Sequence, residues 1–304
     1  MLSTESNARV LQVNSVLFEN RSEDVRRTIE CLNRAADLAI ARGAFSAVRL
    51  TYGDCSKSPI LSKEFLDAVR EDSDALESVE HVFFDKNMGS ARGHNALLKD
   101  TAAPYTLVMN PDVRLAPTCL VELAKHMLSP DTGMVEAKQL PIEHPKAFNE
   151  KTGETSWAAT ACALFPTALL KALEGFDADT FFLYCDDVDV SWRIRLGGKK
   201  VIYEPAAIIF HDKRLGLGGH WQVGEAEKYF SAEAALLLAY KYSRNDIVNH
   251  IIADFKAAPD PVYARALKSF EDRKANNTLP ATLDADHKVG QFIEGAYASH
   301  RFKP

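Results

Sequence analysis

Cysteines are few in this sequence, and a long hydrophobic run is missing. No stretch reaches the roughly 18 consecutive apolar residues of a membrane-spanning helix, and the N-terminal MLSTESNARV lacks the apolar core of a secretion signal. The five cysteines are scattered and form no Cys-x-x-Cys pair, which argues against a disulfide framework or a zinc site. We therefore expect a soluble, cytoplasmic protein with reduced thiols, which at most lies on the inner face of the cell membrane.

An excess of positive charge is also missing. The chain carries 36 Lys and Arg against 42 Asp and Glu, which gives a net charge of −6. This balance argues against a nucleic acid as the main partner. With 304 residues, 46% of them hydrophobic, the chain is long enough for one α/β domain with an appended segment, or for two small domains.

Strand and helix patterns alternate over the first part of the chain. Apolar, β-branched runs predict strands at Val10–Phe18, Ala47–Tyr52, His81–Phe84 and Tyr105–Met109. Helices are predicted from Ser22, which can act as an N-cap, over Ser62–Ser78 and within Asn87–Lys99. This order predicts an α/β fold with a mostly parallel, doubly wound sheet. In such sheets ligands bind at the carboxyl ends of the strands, where this sequence has Asp54, the Asn87 loop and Asp112.

The second half of the chain is less regular. Its patterns predict a strand at Trp157–Phe165, helices at Thr167–Leu173 and Val188–Leu196, extended segments at Lys200–Glu204 and Ala207–Phe210, a long helix at Glu225–Tyr242, and a polar, helical remainder to Pro304. We see no internal repeat and no low-complexity tract.

Asn110-Pro111-Asp112 directly follows an apolar strand. A carboxylate in this place projects into the ligand crevice and can hold a hard divalent cation through oxygen. Considered alone, these three residues are more often an ordinary Asn-Pro-Asp turn than a metal site.

Three carboxylates follow an aromatic run in Phe181-Phe182-Leu183-Tyr184-Cys185-Asp186-Asp187-Val188-Asp189. Their mutual repulsion is tolerated when they are solvated, metal-bound or needed for chemistry, and partial burial suits a general base. The alternative is a helix N-terminus, where acidic residues interact favourably with the helix dipole. The two interpretations are compatible, since a helix start can also position a base.

Two further segments contain residue types that bind ligands. His211 ends the apolar run Ile208-Ile209-Phe210 and is, considered alone, more often a core histidine than a metal ligand. The small-residue segment from Asn87 to Asn95 leads into a helix, where backbone amides and Arg92 could meet a phosphate. It does not have the spacing of a P-loop, so by itself it is a weak signal.

The order of these segments resembles the family 2 glycosyltransferases of the GT-A fold, and most of all the bacterial rhamnosyltransferase-like and galactofuranosyltransferase-like members. The similarity runs from about Val10 to Tyr242. It is strongest over Tyr105–Asp112 and over GFDADTFFLYCDDVDVSWRIRLGGKKVIYEPAAIIFH, which ends at His211. Those members carry Gly-Phe-Asp, then Phe-Phe-x-Tyr-x-Glu-Asp-x-Asp-Leu, an arginine, a glycine, and a strand that ends in histidine.

The resemblance implies a role for each matching residue. Asp112 stands for the last aspartate of the Asp-x-Asp motif and would bind Mg²⁺ or Mn²⁺, with His211 as a further ligand. Asp187 matches the catalytic base, beside Asp186 in place of the usual glutamate. Asn110 replaces the first aspartate of the metal motif. The positions implied to lie near the nucleotide are Asp54, Asn87, Gly89 and Asn95.

The implied function is metal-dependent, inverting transfer of a sugar from a nucleoside-diphosphate sugar to a glycan or lipid-linked glycan, in the synthesis of cell-surface polysaccharides. dTDP-rhamnose is the favoured donor, and UDP-hexoses such as UDP-galactofuranose are compatible. The implied domains are residues 1–242, divided into a nucleotide-binding half (1–112) and an acceptor half (113–242), and a helical C-terminal segment (243–304). That segment is expected to be a solvated appendage, and dimerisation, cover of the acceptor site or contact with a membrane stay open.

Two other functions remain open at this point. A nucleotidyltransferase also binds nucleotides on a related sheet, although the first strand lacks the expected Gly-rich, Lys- or Arg-bearing signature. A non-catalytic carbohydrate-binding relative is the other alternative, and the presence of Asp112, Asp187 and His211 argues against it.

Overall fold

A single mixed sheet lies at the centre of the structure. The computed structural model describes residues 9–143, 146–211, 224–293 and 295–297. Within these ranges the strands are β1 (Val10–Leu17), β2 (Ala47–Asp54), β3 (Ser78–Phe83), β4 (Tyr105–Met109), β5 (Val113–Leu115), β6 (Thr132–Leu140), β7 (Cys162–Pro166) and β8 (Lys200–His211). Their order across the sheet is β3-β2-β1-β4-β7-β6-β8-β5.

The first half of the chain forms the parallel half of the sheet. Strands β3, β2, β1 and β4 pair in parallel, and the chain returns between them through α1 (Ser22–Ala41), α2 (Lys63–Glu71) and α3 (Gly89–Asp100). The predicted apolar face of α1 is buried, at Val25, Ile29, Leu32, Ala36 and Ala39. The predicted α/β fold is confirmed. The second half adds strand β7, antiparallel to both of its neighbours, and pairs β5 antiparallel to β8.

Several predicted boundaries are wrong. Helix α1 takes Arg21 as its N-cap, without a side-chain cap hydrogen bond, so Ser22 is inside the helix. Helix α2 ends at Glu71. Glu77, which the sequence predicts to be helical, instead donates a backbone hydrogen bond to the carbonyl of Val48 in strand β2 (2.8 Å). The strand predicted from Trp157 begins only at Cys162.

Strand β8 joins two segments that the sequence predicts separately. Its pairing with β6 shifts from Ala137 opposite Glu204 to Lys138 opposite Ile208, so the intervening residues bulge out. Pro205 explains the bulge, because proline has no N–H for the ladder. The strand then continues to His211, which brings this histidine to the edge strand β5.

The remaining helices are α4 (Cys119–His126), α5 (Thr167–Ala172), α6 (Asp186–Leu196), α7 (Glu225–Lys241), α8 (Asn245–Ala257) and α9 (Pro261–Ala275). The last three pack with α6 in one apolar cluster, in which Trp192 contacts the rings of Tyr242 and Phe292 at 4.6 and 5.3 Å. The remainder after Tyr242 is thus helical only to Ala275, and residues 298–304 lie outside the described ranges. In the described part of the chain, no helix is both long and apolar enough to cross a bilayer.

Candidate active site

Asp112 and His211 lie together at the carboxyl end of β4. The turn that carries Asp112 is held by a hydrogen bond from the Asn110 amide to the Ala161 carbonyl (2.9 Å). Strand β5 then pairs with β8 so that Val113 lies opposite His211. As a result His211 Nε2 is 3.4 Å from Asp112 Oδ1, although 98 residues (211 − 112 − 1) separate the two in the chain.

A hydrogen bond from the other ring nitrogen orients His211. Its Nδ1 lies 2.9 Å from Gln139 Oε1, and an amide oxygen only accepts, so Nδ1 carries the proton. Nε2 faces Asp112, whose side chain is 41% exposed, and it is the nitrogen that carries the lone pair in the neutral tautomer. A neutral imidazole fixed through its second nitrogen is the usual arrangement of a metal-binding histidine.

A carboxylate and an imidazole fit a divalent ion that takes its other ligands from elsewhere. Among the described residues, no group of three or more His, Cys, Asp and Glu side chains comes together. Mg²⁺ keeps several waters and is bound through one or two carboxylates together with substrate phosphates. Asp112 agrees with that pattern, and His211 adds a nitrogen ligand of the kind that transition metals accept.

Replacing Gln139 with leucine is expected to lower Mn²⁺ affinity about tenfold or more, because the imidazole loses the acceptor that fixes its tautomer. The fold should tolerate the change, since the buried Gln139 Nε2 has no hydrogen-bond partner among the described residues. Calorimetric titration with Mn²⁺ measures the effect, and Gln291→Leu at an exposed position is the control. Equal affinity in the two variants would remove Gln139 from this role.

The start of α6 places Asp186 and Asp187 in different surroundings. The two residues before it, Tyr184 and Cys185, both adopt left-handed backbone conformations (φ 66° and 58°). Such conformations are unfavourable for these residue types and are found at functional sites. Asp186 is buried, and burial, followed by the charge of Asp187, raises its pKa to about 7. Asp187 is only half-buried.

Hydrogen bonds connect the start of α6 to the turn that carries Asp112. Ser191 Oγ donates to the Asp187 carbonyl (2.7 Å) and accepts from the Ala158 amide (3.1 Å). Three residues later in the chain, the Ala161 carbonyl accepts from Asn110. Residues 158–161 therefore join Asp187 and the turn that carries Asp112 within one hydrogen-bonded unit.

Asp189, the third acidic residue of the cluster, is held in buried ion pairs. It is completely buried and pairs with Arg193 (2.7 Å) and with Lys241 at the end of α7 (2.6 Å). The sequence reasoning missed Lys241, because nothing in the local pattern connects two residues that lie 52 positions (241 − 189) apart.

The segment that begins at Asn87 is pressed against the loop before α6. Asn87 Oδ1 accepts from the Gly89 amide at 3.0 Å. Gly89 has φ +75°, and a Cβ there would lie 2.6 Å from the Phe182 carbonyl oxygen. A Cβ on Gly93 would lie 2.9 Å from Val16. The glycines therefore allow α3 to approach both β1 and the aromatic run.

Arg92 and Asn95 do not join Asp112 and His211 in the structure. Arg92 is half exposed and pairs with Asp179 (2.8 Å). Asn95 accepts from the Phe176 amide (2.8 Å) and donates to the Phe176 carbonyl (2.7 Å), so both ends of its amide are occupied. Both side chains hold α3 to residues 176–179.

A cavity of about 580 Å³ lies between α3 and the loop of residues 173–179. Arg92, Asn95, Asp177, Arg193 and Lys241 are among its lining residues. Its lining does not include Asp112, Asp187 or His211, so the cavity is distinct from the place where these candidate site residues lie.

Asp54 is enclosed at the end of β2. Its carboxylate accepts from the amides of Ser56 and Ile60 (2.9 Å each) and lies 3.0 Å from His81 Nε2. Burial alone would raise the pKa of Asp54, but these hydrogen bonds outweigh it and hold the pKa below its usual value. With both oxygens occupied and no exposed surface, the side chain supports residues 55–60.

Replacing Asp54 with alanine is therefore expected to destabilise the fold by about 2 kcal/mol or more, since hydrogen bonds to a charged group are worth about 1.5–3 kcal/mol each. Because the pKa is lowered by folding, the contribution is complete above the unfolded pKa of about 4 and is lost as the pH falls through the folded value. Denaturant unfolding of both proteins at pH 7 and near pH 2 measures it. A difference that does not shrink with acid would contradict this account.

Phe18 is a residue that sequence reasoning did not single out. It follows β1 directly, and 49% of its surface is exposed. Its amide donates to Asn20 Oδ1 (2.8 Å), and the next amide, of Glu19, donates to Ser56 Oγ (2.8 Å). An exposed aromatic ring at the carboxyl end of a parallel strand lies where open α/β sheets bind ligands. This position is the feature of the sequence that could have identified Phe18 as a candidate.

The class of fold follows from comparison with solved structures. The sequence matches no protein-family model, and a search of curated proteins returns no significant match. Solved structures do match, and they are glycosyltransferases. These likenesses show that the chain has a GT-A-type fold.

Three of these structures illustrate the likeness. The mannosyltransferase PcManGT from Pyrobaculum calidifontis, in complex with GDP-Man and Mn²⁺, has a TM-score of 0.55 at 15% identity, over 91% of this chain and 77% of that one. GalNAc-T7 with UDP, GalNAc and Mn²⁺ has a TM-score of 0.62 at 12% identity, over 91% and 55% of the chains. TarS from S. aureus has a TM-score of 0.52 at 13% identity, over 75% and 39%.

Proposed function

We propose that this protein is a metal-dependent, inverting glycosyltransferase that uses a nucleoside-diphosphate sugar. The observation that carries the proposal is the pair of Asp112 and His211, with Nε2 directed at the carboxylate, at the carboxyl end of β4 in a GT-A-type fold. Two structures of similar fold contain Mn²⁺ with a nucleotide or nucleotide-sugar, which supports the same use of the site here.

Asp112 and His211 would hold Mg²⁺ or Mn²⁺ against the diphosphate of the donor. Once bound, the ion offsets the negative charge that builds on the leaving diphosphate. Gln139 favours the tautomer with the proton on Nδ1, which leaves Nε2 as the ligand atom of the neutral imidazole. Asn110 supports this turn through its backbone.

Asp187 is the proposed general base. It removes the proton from an acceptor hydroxyl while that oxygen forms a bond to the anomeric carbon and the bond to the diphosphate oxygen breaks. A single displacement of this kind inverts the anomeric configuration. Asp186 is the less suitable base, because it is buried, whereas Asp187 is only half-buried and more accessible to an acceptor hydroxyl. We assign Asp186 to the support of its neighbour.

The donor and acceptor are proposed from the sequence resemblance. dTDP-rhamnose is favoured over UDP-hexoses, and a glycan or lipid-linked glycan of cell-surface polysaccharide is the acceptor. Asn87 and Gly89 would lie near the nucleotide, with Asp54 shaping the loop beneath it. Residues 1–242 would form the transferase domain, which works in the cytoplasm, including at the inner membrane face.

A binding screen followed by product analysis tests the proposal. One nucleotide-sugar, with Mn²⁺ or Mg²⁺, is expected to raise the melting temperature by several degrees, because a ligand bound only to the folded state stabilises it by mass action. Incubation of that donor with enzyme should release the nucleoside diphosphate. Release of pyrophosphate from a nucleoside triphosphate would instead identify a nucleotidyltransferase. Binding without any turnover would indicate a non-catalytic relative.

A further inference from the structure

The interior of the molecule contains a buried cation that the proposed chemistry does not use. Lys241 is the last residue of α7, and its side chain is 6% exposed. Its Nζ lies 2.7 Å from Asp177 Oδ2 and 2.6 Å from Asp189 Oδ1. A buried ammonium is costly unless it is paired, so this residue joins the Asp177 loop, α6 and α7.

Asp189 receives further partners from both helices. Arg193 Nε donates to its Oδ2 at 2.7 Å, and the Tyr242 hydroxyl lies 3.1 Å from its Oδ1 and 3.0 Å from its carbonyl oxygen. Arg193 also donates to the carbonyls of Leu173 and Gly175 (2.8 Å each). The first turn of α6 is therefore fixed by contacts that come from the end of α7.

The same contacts balance the negative charge of Asp189, which lies close in sequence to the proposed base, Asp187. Asp189 lies two positions after Asp187, and its charge is one of the causes that raise the pKa of Asp186. Lys241 and Arg193 compensate that charge. Among the described residues, Asp177 also faces this cluster through its ion pair with Lys241, and the charge of Asp284 acts on Tyr242. Loss of the Lys241 ammonium would leave the carboxylates near Asp187 with less compensation.

We propose that Lys241 is a positioning residue for Asp187, which holds the start of α6 in place and balances the charge of the acidic cluster. The inference rests on the proposed glycosyltransferase function. This inference makes the end of helix α7 part of the catalytic unit, although Lys241 is distant in sequence from the Asp186–Asp189 segment that it supports.

The test compares Lys241→Met with Lys241→Arg. Lys241→Met should lower kcat about tenfold or more through misplacement of the base, with KM for the donor nearly unchanged. The acid limb of its pH–rate profile should move up by about half a pH unit, because uncompensated negative charge raises the proton affinity of a neighbouring carboxylate. Lys241→Arg keeps the charge and should restore the limb. Lys256→Met, at an exposed position on α8, is the matched control.

A purely structural effect is distinguishable from this outcome. Tyr242→Phe removes a hydroxyl of the same network without changing the charge, and should lower stability without moving the acid limb. If Lys241→Met does not fold, the double variant Lys241→Met with Asp189→Asn removes the pair together and leaves no unpaired buried charge. It should have a low kcat with the acid limb at its wild-type position.

Two results overturn the inference. Wild-type kcat in folded Lys241→Met or in the double variant would exclude a positioning role, and a low kcat with an unmoved limb in Lys241→Met would exclude the electrostatic part. An inactive wild-type protein would instead reject the proposed function itself, and the inference with it.

Discussion

Asp187→Asn is expected to abolish most sugar transfer while it leaves donor binding nearly unchanged. General-base help is worth about 10²–10⁴ in rate, and asparagine keeps the size and hydrogen-bonding shape of the side chain but cannot take a proton. Turnover is measured as nucleoside diphosphate released with acceptor present. Binding is measured by the donor-induced rise in melting temperature.

Asp37→Asn provides the matched control for this substitution. Asp37 lies on the exposed face of α1, far from the acidic cluster in sequence. Its substitution makes the same chemical change, but at a solvated carboxylate. It should leave both turnover and binding at wild-type values. Undiminished turnover in Asp187→Asn would assign the base to another residue, with Asp186 the first to test.

Asp112→Ala should lower the affinity for Mn²⁺ about a hundredfold or more, since even loss of the groups around a metal ligand costs about 10–100-fold. His211→Ala should do the same, because the two side chains share one site, with Nε2 and Oδ1 3.4 Å apart. Metal-dependent donor binding and turnover should fall with the affinity. Calorimetry with Mn²⁺, with and without the donor, measures these effects separately.

A second histidine–carboxylate pair, between helix α4 and strand β8, supplies the control for this experiment. His126 Nε2 lies 2.6 Å from Glu204 Oε2, and both side chains are partly buried, as in the candidate site. His126→Ala should leave Mn²⁺ binding unchanged, which separates loss of a ligand from general loss of a histidine. Full Mn²⁺ affinity in Asp112→Ala would reject the metal site.

The sheet could be predicted where its signal is local. The strand at Tyr105–Met109 coincides with β4, and the helix predicted at Glu225–Tyr242 differs from α7 by one residue. Boundaries failed where long-range pairing competes with local pattern. Ser78 continues a helical pattern in the sequence but pairs with Arg49 in the sheet. The end of a strand or helix thus depends on a neighbour that the sequence does not reveal.

The candidate site shows the same division. Asp112 and His211 were predicted together from the order of motifs, and the structure does bring them into contact. The family resemblance implies that Asp54 and Asn95 lie near the nucleotide. In the structure their polar atoms are occupied by residues 55–60, His81 and Phe176. The position of a residue along a strand or helix predicts where its side chain is attached, but not which groups form hydrogen bonds with it.

The sequence by itself determined the α/β alternation and the set of chemical groups, because periodicity and residue type are local properties. Only the tertiary structure decided which of the acidic groups are buried in ion pairs. It separated Asp187, half-buried at a helix start, from Asp189, which is neutralised by Arg193 and by a lysine from α7. The physical reason is that the cost of a buried charge is set by partners distant in the chain, and only folding brings them within hydrogen-bond distance.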